Sequence, residues 1–143
     1  MALGDTKSEI PPSDKFVARC GFNSFDFVPS EGRSGGLWLL WKNVITSSFS
    51  LTVVSKHRNY LACICNDFKA NYKFYYVFVY APAHENLKSI FWDEFSTFVK
   101  SLPLPVVVMG DLNELQQTLF PLLIWGLNSL GVKRKRGMII FMN

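Results

Sequence analysis

Four places in the chain put polar, chemically capable side chains at the ends of apolar runs. "DTK" near the start holds Asp5 and Lys7, and "EGRSGGL" holds Arg33 and Ser34 within the glycine-rich stretch Gly32 to Gly36. "VYAP" closes an aromatic run on Tyr80. "VVVMGDLNE" closes a β-branched run on Asp111, with Asn113 two residues on. Carboxylate, carboxamide, phenol and guanidinium groups at the lip of a sheet are the materials of acid–base and anion-binding chemistry. Singly, each has a plainer reading. Asp111 and Asn113 suit an Asx-type turn or a helix cap. Arg33 suits an ordinary surface arginine, and Tyr80 an interface ring with its hydroxyl on water.

The elements that must position these groups follow from periodicity. The first ten residues read as a polar lead-in. "PPSDKFVARCGF" predicts a short helix, with Ser13 as N-cap, Phe16, Val17 and Cys20 at helical spacing, and Gly21 as the stop. "FDFVP" has strand chemistry and ends at Pro29. The period then becomes two through "LWLLW", "FSLTVVS", "YLACICN" and "KFYYVFVY", joined by short polar segments, which predicts an antiparallel meander with hairpin connections. Large residues on both faces of "KFYYVFVY" predict a central strand covered on both sides. "HENLKSIFWDEFSTFVKSL" predicts one long helix whose apolar face is Leu87, Ile90, Phe91, Phe95, Phe98 and Leu102. Pro103 stops it, and Val106 to Met109 returns as a buried strand. No element is read in "KRKRGMIIFMN", and there are no internal repeats.

Composition narrows the class. Of 143 residues, 49% are hydrophobic and 15% aromatic, which excludes a disordered chain and suits one domain with its own core. The net charge of +4 is concentrated in "KRKR", Lys133 to Arg136; without it, acidic and basic groups balance. The overall basicity therefore does not define a nucleic-acid face. The run itself reads as a solvated tail, with nuclear import or nucleic-acid contact as alternatives. Three cysteines, an odd number, and no secretory signal at the N-terminus predict a reducing, intracellular setting. Cys63 and Cys65 would share one face of a strand as buried thiols, a metal pair with His57 being the alternative. The apolar stretch 119–130 is too short to span a membrane, so no membrane partner is expected.

Taken together, the four clusters resemble something. "DTK", "GRSGGLWLLWK", "VYAP" before a helix and "VVVMGDLNE" occur in the motif order of the endonuclease/exonuclease/phosphatase superfamily. The pattern looks most like the endonuclease domain of plant non-LTR (LINE-type) retroelements, over roughly residues 3 to 115. The resemblance implies an α+β fold: a partial four-layer α/β sandwich with mostly antiparallel sheets and outer helices. It implies Mg²⁺-dependent hydrolysis of phosphodiester bonds, with DNA as partner. The implied roles fall to Asp5 as metal ligand, Asp111 as base on the attacking water, and Asn113 and Tyr80 as phosphate contacts. Arg33 and Ser34 match the loop beside the substrate groove. A spacing of two on an extended segment would point Asp111 and Asn113 at one phosphate.

The departures carry expectations of their own. Asp5 stands where that family has Glu, one methylene longer. The "SDH"-like motif, which supplies an Asp and a transition-state His, has no counterpart; His57 and His84 both precede Asp111. Residues 1–115 are therefore expected to form a partial domain and 116–143 a divergent tail. A truncated and inactive product of a decayed retroelement is the reading this favours. A non-catalytic nucleic-acid-binding module using Arg33, Lys42 and the basic run is the alternative.

Overall fold

The structure, a computed structural model, describes residues 1–43, 48–113 and 138–141, the last as backbone alone. Strands β1 (Ala2–Gly4), β2 (Ser24–Glu31) and β3 (Ser34–Trp41) form one antiparallel sheet in the order β1-β3-β2. Strands β4 (Phe49–His57), β5 (Tyr60–Asp67), β6 (Tyr72–Tyr80), β7 (Val106–Asp111) and β8 (Met138–Phe141) form a second sheet, in chain order. Helix α1 (Asp14–Arg19) precedes β2, and α2 (Glu85–Ser101) lies between β6 and β7. β6 and β7 run parallel, and α2 is the crossover that a parallel connection needs.

Alternation along β6 builds two cores. Tyr75, Val77 and Val79 face α2, where they meet Phe91, Trp92, Phe95 and Val99. Phe78, Tyr76 and Tyr80 face the first sheet, where with Leu61 and Cys63 of β5 they meet Val28, Leu37 and Leu39. On β3, Trp38 points to the other side of that sheet, its ring edge-on to Phe16 of α1 at 5.7 Å. The order of layers is α1, first sheet, second sheet, α2. Four layers of mostly antiparallel sheet with outer helices are what the motif order implied, and β6 is central and covered on both faces.

Several elements differ from the sequence expectations. The supposed lead-in contains β1, which at three residues is too short to show an alternation. β2 runs through Pro29 to Glu31, tolerated because β2 is an edge strand of its sheet. β3 and β4 are not hairpin neighbours; they belong to different sheets. The buried face of α2 is Lys88, Phe91, Trp92, Phe95 and Val99, which leaves Leu87 43% and Ile90 57% exposed. Apolar residues ring more than half of this helix, so period alone leaves its rotation open, and the largest rings take the sheet. Lys88 buries its stem there and places its ammonium on Glu85, 2.6 Å away. In "KRKRGMIIFMN", Met138–Phe141 pairs antiparallel with β7. The expected boundary near residue 115 falls outside the described residues.

Cys63 and Cys65 are buried on β5, and burial pushes their thiols up to about 12 and about 11, so both are neutral at physiological pH. Among the described residues, no helix is long and apolar enough to cross a membrane.

Candidate active site

The "DTK" and "GRSGG" motifs form one built unit. Thr6 N–H donates to the Gly36 carbonyl at 3.2 Å and Lys7 N–H to the Gly35 carbonyl at 3.0 Å. In return, Gly35 N–H donates to Asp5 Oδ1 at 3.2 Å. Asp5 and Lys7 both sit at φ 52, left-handed conformations that non-glycine residues adopt at a cost. Opposite them Gly36 is at φ 87, and a Cβ there would lie 2.4 Å from Thr6 Oγ1. The glycine is therefore what lets the clip close. Arg33 occupies the two-residue turn Gly32–Arg33 and is exposed, with Gly32 at φ 62 as such hairpin turns require.

Tyr80 ends β6 and links the two sheets. Its ring lies against Gly4, where a Cβ would approach its Cδ2 to 3.1 Å. Across the second sheet its register partner is Asp111, so both side chains start from the same face. Between them Gly110, at φ 146, packs so closely on β6 that a Cβ would fall 1.9 Å from the Val79 carbonyl oxygen. The Tyr80 hydroxyl is pushed up from its ordinary value, first by burial, then by the Asp5 charge, its hydrogen bond to Asp5 and the Asp111 charge. It is a hydrogen-bond donor throughout the physiological range. Asp5, Tyr80 and Asp111, brought from the ends of β1, β6 and β7, thus share one place.

Asn113 joins them differently from the expectation. It sits at φ 40, not on an extended segment. Its backbone N–H donates to Asp111 Oδ1 at 2.9 Å, the Asx turn that the local sequence also allowed, and its carboxamide donates to the Ala81 carbonyl. Ala81 N–H in turn donates to the Asp111 carbonyl at 2.9 Å. Asn113 holds the post-strand loop against β6 and fixes where Asp111 stands.

Beside Tyr80 opens a cleft of about 420 Å³. Its walls are the β2–β3 hairpin with Ser34, Gly35 and Gly36, the β4–β5 turn with His57, Arg58 and Asn59, and the start of α2 with His84, Leu87 and Ile90. Arg33 is not among them. Asn59 anchors the turn by donating to the Tyr80 carbonyl at 2.8 Å while its own carbonyl accepts from Tyr80 N–H at 2.8 Å. Burial lowers the pKa of His57, with the Glu94 charge next and opposing, and its Nδ1 accepts from Asn59 N–H at 3.2 Å. "KHRN" read only as a hairpin connection, and the sole signal it offered was polar residues of mixed chemistry packed into one short turn.

By sequence, the chain matches no protein-family model and no curated protein. By structure, it matches the human Nocturnin catalytic domain solved with bound sulfate anion, at TM-score 0.50 and 12% identity. The match covers 79% of this chain and 50% of that one. The fold is of the endonuclease/exonuclease/phosphatase type. This chain spans half the length of the structure it matches, and the likeness is one of fold.

Proposed function

We propose that this chain carries one wall of a Mg²⁺-dependent phosphodiesterase site for nucleic acid, of the kind found in plant non-LTR retroelement endonuclease domains. The convergence of Asp5, Tyr80 and Asp111 carries the reading. Tyr80 donates to a phosphate oxygen, Asp111 takes a proton from water, and Asn113 holds Asp111 in place. Asp5 is the residue that would hold Mg²⁺, which usually takes one or two carboxylates and completes its shell with water and substrate phosphate; among the described residues it would do so without a cluster of further ligands. Its side chain is 35% exposed and within reach of solvent ions, with Lys7 Nζ at 3.6 Å from Oδ2. Magnesium would supply positive charge for the phosphate there.

The wall does not cleave alone. His57 and His84 are the only histidines in the sequence, and both line the cleft from α2 and the β4–β5 turn. Loss of a single preorganised transition-state donor costs roughly 10²–10³-fold in rate. On this reading the wall's role is to hold nucleic acid, with hydrolysis slow where no transition-state donor stands beside it.

Incubation with supercoiled plasmid and Mg²⁺ tests both parts. The expected result is DNA retention that depends on Mg²⁺ and falls in Asp5→Ala, without nicking. Nicking that Asp111→Ala abolishes would overturn the non-cleaving part, and retention indifferent to Mg²⁺ and to Asp5 would overturn the metal site.

A further inference from the structure

The cleft beside Tyr80 contains one end of a column of rings. Phe98 stacks on Tyr60 with centroids 4.7 Å apart and planes at 24°, and Tyr60 stacks on His57 at 4.8 Å and 22°. Tyr60 covers one face of His57 and is not part of the cleft wall, whereas His57 is. The column therefore ends on His57, a residue that lines an open slot. The same slot is lined by Leu87 and Ile90, two apolar side chains that α2 leaves exposed in place of burying.

We propose that this slot seats one unpaired nucleobase, stacked on His57 as the next member of the column, and that the chain accordingly holds single strands in preference to blunt duplex. The proposal rests on the nucleic-acid reading above and names the form of substrate. The slot, at about 420 Å³, falls among ligand-sized pockets. Flat aromatic faces accept any base, and each such stack contributes substantially to single-strand binding. Burial keeps His57 neutral, so its ring stacks without charging. Arg58 stands at the rim, and its pair with Glu31, 3.1 Å apart and exposed on both sides, is weak enough to exchange for a strand phosphate. Tyr80 borders both the slot and the carboxylates, so a base in the slot places its own strand at the lip. A paired base is inside a duplex and cannot enter.

The test titrates the 143-residue chain into a single strand of about eight nucleotides carrying a central 2-aminopurine. It is run in EDTA, so that failure of the metal site leaves the result untouched. Stacking on His57 is expected to quench the fluorescence saturably, and the same strand annealed to its complement is expected to show little change. His57→Ala should weaken the single-strand complex at least about fivefold, while His57→Phe, which keeps a flat face, should retain it. Ile90→Glu alters an exposed position and should weaken binding about tenfold by opposing the phosphates with charge and removing the apolar wall. Thermal melts by circular dichroism accompany each variant. Equal quenching of duplex, no quenching at all, or unchanged binding in natively melting His57→Ala or Ile90→Glu would overturn the proposal.

Discussion

The two faces of β6 do different work with the same alternation. On one, Val77 and Val79 disappear under α2, where Phe95 is 2% exposed and touches Tyr60, Phe91, Trp92 and Phe98. On the other, Tyr76, Phe78 and Tyr80 face the first sheet, and the last of them reaches the lip where Asp5 and Asp111 stand. The first face is filled with close-packed carbon. The second is packed with carbon too along Tyr76 and Phe78, but its Tyr80 end is held by a few hydrogen bonds and by glycines at positions that leave no room for a Cβ. A strand can thus anchor the fold with one set of side chains and present chemistry with the other, provided the two are damaged by different mutations.

The sharpest break should come from the α2 face. Phe95→Ala leaves a cavity at the centre of the ring cluster and should cost about 3–5 kcal/mol in urea denaturation, a large share of a domain's total. Next comes the clip. Gly36→Ala forces a Cβ onto Thr6 Oγ1 at φ 87 and should cost about 1–3 kcal/mol. Adding Thr6→Ala relieves the contact but not the backbone, so only part of the loss should return. A full return would show that backbone strain at Gly36 is negligible. Tyr80→Phe should cost about 0.5–1.5 kcal/mol by removing the hydrogen bond to Asp5, yet abolish most Mg²⁺-dependent DNA retention. If stability and retention fell in proportion, the two faces would not be separable.

The smallest effect is one of pH. Burial places the folded-state pKa of His57 below its ordinary value of 6.5. Its contribution to stability is complete above that value and is lost as pH falls through the lower, folded-state pKa. His57→Phe should flatten this part of the urea-midpoint profile below pH 6.5. An unchanged profile would mean that His57 protonates equally in both states.

Much of this division was legible in the residues. "KFYYVFVY" announced a strand covered on both sides because it has large side chains at every position. The order of "DTK", "GRSGG", "VYAP" and "GDLN" implied the four-layer fold that the structure has. The rotation of α2 was not legible, because Leu87 and Ile90 fit an apolar stripe as well as Trp92 and Val99 do. That choice is made by a sheet distant in sequence. Nor was the clip, since the pairing of Asp5 with Gly35 is a contact across thirty residues and no local pattern encodes it. Asn113 shows the limit of spacing arguments: "DLN" gives two side chains one face only if the backbone stays extended, and here it turns.

The pairing of β8 with β7 has a consequence for the life of the molecule in solution. Val106 to Val108 and Met109 form a short, uncharged, β-branched run, the composition that self-associates when its hydrogen-bonding edge is bare. Met138–Phe141 occupies that edge, residue against residue from Val106↔Phe141 to Met109↔Met138. Four residues far along the chain therefore cover the edge of β7, and their removal would bare it.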